Sequence, residues 1–523
     1  MNRLLRITKS LVGLALLAGC EQVALAEEST PRQQVGGAEG TYSGDQAAGA
    51  DPRSTQGESL AYEVSTAEPG EAAASATPKP KSKPYKDVFY QNDFSYLDAP
   101  DYVSSDPFDA LKRICVAPCT VLDVGGEYRL RYLHEDNLRL NGLTDDYLLQ
   151  RTRLYGDLWY NGWLRGYAEF IDATSSFEHL TPRLIDENRA DFLNLFGEAK
   201  LCDDFCGGSA RVGRQELIYG AQRLISPLDW SDTRRTFDGA KLFWRSSSWD
   251  LDGFWTRPVP FSQHINNDHN FDHPDQSQQF YGLYATWHAV KDHTWDFYYL
   301  GFEDNDPTKP YGNELAVADF HVNTIGTRYQ GRCCDWLWEV EGGHQFGEVG
   351  DKDISAGFYT IGGGYEFQCL PWKPVFWTYF DWASGDSNPT DGHVGTFNQL
   401  FPFGHKYMGF VDLVARQNIE DWNFQLTAKP TDRVTLLAWW HIFHLEEARD
   451  ALYNAAGAVI RKSPTGAAGT DVGQELDLTA QVQLTPHADV LFGYSHFFAG
   501  EFIAATGNPD DSDFFYLTLT FKF

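Results

Sequence analysis

Arginine and carboxylate side chains fall on one face of several short segments in which polar and apolar residues alternate. Such arginines can bind carboxylates through paired hydrogen bonds, and the neighbouring acidic groups would hold the guanidinium groups in position. In a narrow, wet passage this face would attract a polyanion and let it move from one site to the next. The pattern therefore indicates conduction of carboxylate-bearing solutes. The charged residues of this face are Glu127, Arg129, Arg131, Arg151, Arg153, Asp157, Arg165, Glu169, Arg214, Glu216 and Lys241.

The alternation itself predicts β-strands, because successive side chains of a strand point to opposite faces. In the segment 474–484, for example, apolar residues at even positions alternate with polar residues that include Glu475 and Asp477. A soluble sandwich would bury the apolar face in a core, whereas a transmembrane barrel turns it toward lipid and keeps the polar face in a wet lumen. The number of strands and the lengths of their connections decide between these two architectures.

Alternation and turn residues predict eighteen strands, an even number that is typical of bacterial outer-membrane barrels. We expect the boundaries to be accurate to within a few residues. The strands are predicted near residues 126–134, 148–160, 163–171, 191–201, 210–218, 237–245, 249–257, 279–288, 294–303, 320–330, 336–346, 358–368, 375–383, 416–429, 433–445, 473–484, 488–497 and 514–523.

The connections alternate between tight and long. Tight links such as 161–162 and 485–487 take turns with long ones at 172–190, 219–236, 258–278, 384–415 and 446–472. Short turns at one end and long loops at the other are typical of an outer-membrane barrel with both termini in the periplasm. The sequence therefore predicts an all-β fold, a transmembrane antiparallel β-barrel of about 18 strands over residues 87–523. Whether loops 258–278 and 384–415 fold inward is left open.

The first 26 residues are predicted to be a secretory signal, because Arg3, Arg6 and Lys9 precede a short apolar run. Two cleavage sites stay open: a bacterial lipobox that ends at Cys20, which would then be lipidated, and an ordinary signal peptidase site at 24–26. Residues 27–86 are rich in Ala, Gly, Ser, Thr, Pro, Glu and Lys. This composition predicts a disordered, low-complexity periplasmic tether in front of the barrel.

The overall composition suits a barrel embedded in outer-membrane lipid and argues against nucleic-acid binding. The net charge of −31 has the wrong sign for contact with phosphates. The 16 Trp, 26 Tyr and 36 Phe suit aromatic girdles at the two membrane interfaces, with a buried aromatic core as the alternative. The final strand ends on Phe523 and is expected to be recognised by the machinery that inserts outer-membrane barrels.

Seven cysteines lie before the first predicted strand or in links predicted to be short and periplasmic. Disulfide bonds across such turns are plausible in an oxidising compartment, and an odd number leaves at least one cysteine unpaired. A metal site is the alternative, but no nearby histidine or further cysteine has the spacing that zinc requires, so neither a metal nor a cofactor is predicted. The residues are Cys115, Cys119, Cys202, Cys206, Cys333, Cys334 and Cys369.

Several motifs resemble those of the alginate export family of outer-membrane barrels, over residues 120 to 523. The first group contains 213–217 (Gly-Arg-Gln-Glu-Leu), 220–224 (Gly-Ala-Gln-Arg-Leu), 228–230 (Leu-Asp-Trp) and 235–239 (Arg-Thr-Phe-Asp-Gly). The second contains 383–386 (Ala-Ser-Gly-Asp), 397–402 (Phe-Asn-Gln-Leu-Phe-Pro), 404–405 (Gly-His) and 412–413 (Asp-Leu), and the last is 493–500 (Gly-Tyr-Ser-His-Phe-Phe-Ala-Gly).

The resemblance implies an eighteen-stranded barrel whose arginine-rich, partly acidic constriction passes a uronic-acid polysaccharide out of the cell. A periplasmic export scaffold is a further implied partner. The last periplasmic turn, 485–489, is too short to plug a pore, which leaves the gate unassigned. By match of position, the resemblance assigns conduction to Arg129, Arg131, Arg153, Arg214 and Glu216, with Arg223 and Asp229 as additional contacts in the following loop.

Two other functions compete with polysaccharide export. A general or anion-selective porin for small solutes would share the fold and the arginines, and differ in the width and selectivity of its constriction. A membrane-embedded enzyme or a metal-binding loop would need a catalytic or ligating set at one rim. The histidines near 264–293 and 441–444 are candidates, but no His-Glu-x-x-His motif is present. The sequence therefore predicts a channel rather than an enzyme.

Overall fold

The computed structural model describes residues 85–100, 102–104, 106–201, 207–261, 271–308, 310–311 and 316–523. The predicted signal peptide, Cys20 and the predicted tether up to residue 84 lie outside the described residues. Cys202, Cys206, His264 and His269 also lie outside them.

Within the described residues, eighteen antiparallel strands form one closed barrel, which confirms the predicted fold class. Each strand pairs with the next along the chain, and the last pairs with the first, from Glu127 opposite Lys522 to Asp136 opposite Asp513. The strands are β1 (Thr120–Asp136), β2 (Thr144–Tyr160), β3 (Leu164–Ser176), β4 (Asn188–Lys200), β5 (Gly208–Gln215), β6 (Thr236–Arg245), β7 (Trp249–Val259), β8 (Gln278–Trp287), β9 (His293–Asp304), β10 (Phe320–Cys333), β11 (Trp336–Val349), β12 (Lys352–Glu366), β13 (Val375–Ala383), β14 (Ile419–Thr431), β15 (Val434–His444), β16 (Asp471–Thr485), β17 (Ala488–Ala499) and β18 (Ser512–Lys522).

Short elements accompany the barrel. No helix in the described ranges has the length and apolarity needed to cross a bilayer. The short strands are Ile114–Ala117, Pro310–Tyr311, Ala316–Val317, His393–Val394, Ala451–Tyr453 and Val459–Lys462. The short helices are the α-helix Glu501–Thr506 and the 3-10 turns Phe89–Gln91, Ser95–Asp98, Asp109–Leu111 and Gly404–Lys406.

The two faces of the barrel wall follow the alternation of the sequence. On β2, Leu154 and Leu158 expose 48% and 41% of their surface, whereas Arg151 and Arg153 expose at most 1%. Because neighbouring strand residues point to opposite faces, the apolar set lies on the outside of the barrel and the charged set lies inside. The outer surface is thus the one that suits lipid.

The links differ in length between the two ends of the barrel. At the end that carries Phe523 they are short and comprise 161–163, 201–207, 246–248, 288–292, 334–335, 367–374, 432–433 and 486–487. At the opposite end they comprise 137–143, 177–187, 216–235, 260–277, 305–319, 350–351, 384–418, 445–470 and 500–511. We call these the short-turn end and the long-loop end.

One link at the long-loop end is shorter than the sequence predicts. The strand predicted to begin near 358 begins at Lys352, and only residues 350–351 separate β11 from β12. Gly350, the first residue of this link, has a φ angle of +55°, a conformation that side chains disfavour and that a tight hairpin needs. Gly350 therefore allows a tight turn where the sequence suggested a longer loop.

Two long loops fold into the barrel and fill its long-loop half. We call residues 216–235 the inner loop and residues 384–418 the cover loop. Phe397 of the cover loop is fully buried, with its ring centroid 4.8 Å from that of Phe358 on β12. The loops also bind each other, because the Ser226 amide donates to the Phe401 carbonyl over 2.9 Å and the Phe401 amide donates to Leu224 over 3.0 Å. The cover loop therefore folds into the barrel, a point that the sequence left open.

The chain before β1 crosses the short-turn end. Phe89 and Tyr90 are 1% and 7% exposed and belong to a segment, residues 85–100, that we call the N-terminal segment. Farther along, Asp106 contacts His487 in the last short turn over 2.7 Å, and the ring of Phe108 lies 5.7 Å from that of Phe523. This end of the lumen is therefore also occupied by the protein's own chain.

The C-terminal residue completes the seam that closes the barrel. The Phe523 amide donates to the Gly126 carbonyl over 3.0 Å, and the Gly126 amide donates to the Phe523 carbonyl over 3.0 Å. Deleting Phe523 should remove both bonds, at about 0.5–1.5 kcal/mol each. We expect the barrel to unfold at a lower midpoint temperature in heat-modifiability gels, and a smaller fraction of the protein to be folded. The control Phe523→Tyr keeps the backbone and the aromatic ring and should behave as wild type; equal midpoints for the deletion would contradict this role.

Candidate conduction path

A ladder of paired charges lines the lumen on the first five strands. Each arginine of the ladder is at most 6% exposed, and each donates to at least one carboxylate or backbone carbonyl. On adjacent strands, Arg129 lies opposite Arg151 and Glu127 lies opposite Arg153. We call this set the ladder: Arg129, Arg131, Arg151, Arg153, Arg165 and Arg211, with the carboxylates Glu127, Asp157, Glu169 and Glu198.

Wall carboxylates satisfy part of the ladder. Arg151 contacts Glu127 over 2.5 Å, and Arg153 contacts Glu169 over 2.7 Å. The ladder continues toward the short-turn end, where Arg165 contacts Asp157 over 2.7 Å and Arg211 contacts Glu198 over 2.5 Å. Since the wall provides fewer carboxylates than arginines in this set, the remaining partners come from elsewhere.

The inner loop supplies those partners. Asp232 contacts Arg129 over 2.6 Å and Arg131 over 3.4 Å. Asp229 contacts Arg151 over 3.0 Å. Backbone carbonyls of the loop complete the arrangement, since the Trp230 carbonyl accepts from Arg131 over 2.9 Å. The loop therefore places two carboxylates on three wall arginines.

The arginines that the sequence assigns to a water-filled passage lie in a part of the lumen that the protein's own chain fills. In the structure they are buried and paired, because the inner loop and the N-terminal segment occupy the lumen beside them. A guanidinium group that loses contact with water is stable only when its donors are satisfied by other groups. The ladder is thus electrically balanced in the conformation that the structure shows.

Neighbouring arginines lower the pKa of both loop carboxylates. Burial raises the pKa of Asp229, but Arg234, Arg151 and Arg129 outweigh it and hold the pKa well below its usual value. For Asp232, burial acts in the same direction and the neighbouring guanidinium groups of Arg129 and Arg131 again lower the pKa. Both groups therefore act as anions against the ladder.

An arginine of the inner loop, Arg234, lies against the middle of the ladder. Arg234 contacts Glu216 over 2.5 Å and also pairs with Asp229. Arg153 lies 4.0 Å from both Glu127 and Glu216, so these five residues form one continuous network. Glu216, predicted as a conducting residue, indeed lies against the ladder, at the point where the inner loop begins.

Aromatic stacking fixes the tip of the inner loop. The Trp230 ring lies 3.6 Å from the ring of His405 in the cover loop, nearly parallel to it at 8°. The Arg131 guanidinium lies 4.0 Å from the Trp230 centroid on the wall side. Tyr516 of β18 contacts the same ring edge-on at 5.0 Å. Trp230 thus holds the two loops and the ladder together.

Arg223 binds the inner loop to the opposite wall. It contacts Glu339 and Glu341 of β11, both over 2.9 Å. Arg328 of β10 shares Glu339 over 2.7 Å. The predicted contact residue therefore belongs to a second charge network, which crosses the lumen rather than following the ladder.

One predicted lumen residue, Arg214, lies apart from the ladder, whereas Lys241 lies beside it. Arg214 pairs with Asp191 and Asp238, over 2.9 and 2.8 Å, and has the same strand parity as Val212, which is 64% exposed. Lys241 contacts Asp252 over 2.6 Å. Lys241 also lies opposite Arg211 in the register of β5 and β6, so it continues the charged face of the ladder onto the next strand.

Sequence reasoning missed one arginine of the ladder and two charged residues of the inner loop. Arg211 lies opposite Glu198 in the register of β4 and β5, and alternation would have found it if the end of β5 had been known. Asp232 and Arg234 lie in the inner loop, where no periodicity exists to assign a face. Asp232 differs from Asp229 in that no motif of the resemblance contains it.

The cysteines in the described residues do not form the predicted disulfides. Cys115, Cys119, Cys333, Cys334 and Cys369 are free and exposed thiols. Cys333 and Cys334 are adjacent, with their sulfur atoms 3.7 Å apart. Within the described part of the chain, no group of three or more His, Cys, Asp or Glu side chains is arranged to hold a metal ion.

The barrel resembles solved bacterial barrels in fold. Pseudomonas aeruginosa OpdO matches with a TM-score of 0.52 and 11% identity, covering 77% of this chain and 97% of that one. OccK8 (OprE) and OccD3 (OpdP) of the same organism match with a TM-score of 0.50, at 12% and 10% identity, covering 77% and 76% of this chain and 98% and 91% of theirs. At these identities the likeness shows the fold alone, that of an outer-membrane porin-like β-barrel.

A family model identifies the lineage more closely. The alginate export model matches residues 120–516. The chain belongs to the alginate export family, and it is a transport channel of the outer-membrane type. No curated protein matches the chain significantly. The family prediction made from the motifs is thereby confirmed.

Proposed function

We propose that this barrel exports an anionic polysaccharide of the uronic-acid type across the bacterial outer membrane, with the ladder as its conducting surface. The short-turn end would face the periplasm, so that the tether before residue 85 extends there and a periplasmic export scaffold can deliver the polymer. The barrel would be inserted by the outer-membrane assembly machinery, which would read the strand that ends at Phe523. Family membership supports the direction of transport and the class of polymer.

The observation that carries the proposal is the position of the inner-loop carboxylates on the wall arginines. Asp229 and Asp232 occupy Arg151, Arg129 and Arg131 in the way that carboxylates of a polyuronate could. Withdrawal of the loop would remove these acidic groups together with Glu216 and leave the ladder with an excess of positive charge. A carboxylate-bearing polymer could then take their place without any other change in the wall.

The geometry of the ladder suits stepwise movement of such a polymer. Arginines on adjacent strands lie about 5 Å apart and those two residues apart on one strand about 7 Å apart. These spans are comparable to one sugar ring with one carboxylate. Each wall arginine from Arg151 to Arg165 also keeps a wall carboxylate, which competes for the guanidinium and prevents the polymer from binding too tightly to move.

Single-channel recording in a planar bilayer tests the proposal. The full chain should give an anion-selective conductance that is blocked by polyuronate and unaffected by a neutral glucan of the same length. Selectivity is read from the reversal potential in a salt gradient and block from the fraction of time spent closed. A large, weakly selective conductance that ignores polyuronate would instead identify a diffusion porin for small solutes.

A further inference from the structure

A row of stacked aromatic rings lies beside the last arginines of the ladder, near the short-turn end. The rings of Tyr155 and Tyr167 are stacked with centroids 5.9 Å apart at 17°, and those of Tyr167 and Phe196 are 5.1 Å apart at 15°. These residues lie on β2, β3 and β4 and face the lumen, each at most 5% exposed. We call them the aromatic row.

Arginines of the ladder border the aromatic row. The Arg165 guanidinium lies 5.4 Å from the Tyr167 centroid, and that of Arg211 lies 4.1 Å from the Phe196 centroid. Arg153 precedes the row by one inward position on β2. Flat apolar faces next to fixed guanidinium groups can bind a sugar acid, because the C–H face of the ring packs on the aromatic surface while the carboxylate pairs with arginine.

The N-terminal segment occupies this surface. The Phe89 ring packs on Tyr155 at 5.4 Å, and the Tyr90 ring meets Tyr167 and Phe196 edge-on at 6.0 and 5.4 Å. Five residues, Val88, Phe89, Tyr90, Tyr155 and Tyr167, thus belong to one buried cluster with two further side chains. The segment covers the aromatic faces that a ligand would need.

The segment also takes up the donors of the arginines. Arg165 donates to the Tyr90 carbonyl over 2.7 Å, and the Arg153 guanidinium lies 3.9 Å from the Phe89 ring centroid. The Arg211 guanidinium lies 4.2 Å from the Tyr90 ring. Arg234 of the inner loop donates to the Asp87 carbonyl over 3.0 Å. Carbonyl oxygens and aromatic rings of the segment therefore occupy the positions that the carboxylate and the ring of a sugar acid would take.

The segment touches the inner loop through Asp87 and Tyr90. The Tyr90 hydroxyl donates to the Glu216 carbonyl over 2.7 Å, which joins the segment to the first residue of that loop. Phe94, by contrast, is 4% exposed and packs on Tyr85 and on the Lys112 ammonium, away from the aromatic row. Phe89 and Tyr90 can thus be separated experimentally from the anchoring part of the same segment.

We propose that the aromatic row with Arg153, Arg165 and Arg211 is the entry site for a uronate chain, and that Phe89 and Tyr90 occupy it as an internal competitor. The segment must leave this site before a polymer can enter the lumen from the short-turn end. Each of these three arginines keeps a wall carboxylate when the segment leaves, so the site would persist without it. This inference rests on the proposed export function and assigns its entry site and gate.

Binding of a galacturonate tetramer to the full-length protein in detergent tests the entry site, with a neutral glucose tetramer as the ligand control. An internal competitor lowers apparent affinity by the fraction of molecules in which the site is open. The variant Phe89→Ala, Tyr90→Ala should therefore bind the acidic tetramer at least about tenfold more tightly than wild type. The matched control Phe94→Ala should bind as wild type does.

Two further variants keep the outcome decisive. Tyr90→Phe removes only the hydrogen bond to Glu216 and should give a smaller gain in affinity. This variant tests the proposal even if the double alanine variant folds poorly. Adding Tyr167→Ala to the Phe89→Ala, Tyr90→Ala background should abolish the gain. Unchanged affinity in both Tyr90 variants, or an equal gain in Phe94→Ala, would overturn the competitor role.

Failure of this inference can be told apart from failure of the export function. If Tyr167→Ala retains tetramer affinity while polyuronate still blocks the channel, the entry site is wrong and export stands. If polyuronate neither binds to the Phe89→Ala, Tyr90→Ala variant nor blocks its conductance, both proposals are overturned.

Discussion

The double variant Asp229→Asn, Asp232→Asn is expected to conduct anions far more selectively than the wild-type barrel. These two carboxylates lie on Arg129, Arg131 and Arg151, and asparagine keeps their shape while removing their charge. A unit charge about 4 Å away is worth about 1 kcal/mol even in water. Each replacement should therefore raise anion occupancy of the ladder about fivefold or more.

The reversal potential in a salt gradient measures this change, and polyuronate block should become stronger in parallel. Asp391→Asn provides the matched control, because Asp391 lies in the cover loop and its carboxylate accepts hydrogen bonds from Asn388 and the His393 amide rather than from the ladder. An unchanged reversal potential in the double variant would show that the ladder does not line the conducting path. A shift toward cations would have the same meaning.

Alternation predicted the barrel wall correctly because it is a local property of the sequence. Wall residues such as Arg151, Arg153 and Leu154 take their face from their immediate neighbours, and each strand repeats the same choice between lipid and lumen. The closed sheet of eighteen strands follows from these local preferences together with short turns on one side. Nothing distant along the chain is needed to assign either face.

The contents of the lumen could not be read in the same way. The pairing of Arg129 with Asp232 and of Arg223 with Glu339 joins residues about a hundred positions apart, through loops that have no periodicity. The N-terminal segment, which places Phe89 in the lumen, lies where the predicted disordered tether ends at residue 86. No pattern there indicates a contact with the barrel wall. Long-range contacts of this kind depend on the closed barrel already being present, so the sequence predicted a wet passage where the structure has a filled one.

The error at Arg214 has a narrower cause. The sequence places Arg214 and Glu216 together on one charged face of a strand, but β5 ends at Gln215 and Glu216 already belongs to the inner loop. Residues of true inward parity are those aligned with Phe196 and Glu198, which places Arg211 in the lumen instead. The predicted strand runs to residue 218, three residues past its observed end at Gln215, and this error exchanges the two arginines.

The second large effect is expected when Arg129 and Arg131 are replaced together with Asp232, the carboxylate that pairs with both of them. The triple variant Arg129→Gln, Arg131→Gln, Asp232→Asn should fold as a closed barrel and have a weaker preference for anions. Changing only the arginines would leave Asp232 buried without a partner, a defect that costs several kcal/mol. Neutralising all three together removes the ion pairs while amide groups can still satisfy the loop carbonyls of residues 229–231.

Block by polyuronate is the decisive measurement for this variant, because it reports the ladder arginines that remain. Losing two guanidinium groups near 4 Å should weaken block by about tenfold or more, since each contributes about 1 kcal/mol or more. Arg189→Gln is the matched control, as Arg189 on β4 pairs with Asp172 and its side chain is 52% exposed. Undiminished block in the triple variant would place the polymer's path away from Arg129 and Arg131. If block by polyuronate weakens while the protein still forms a heat-modifiable barrel, these charges contribute to conduction and are not needed for folding.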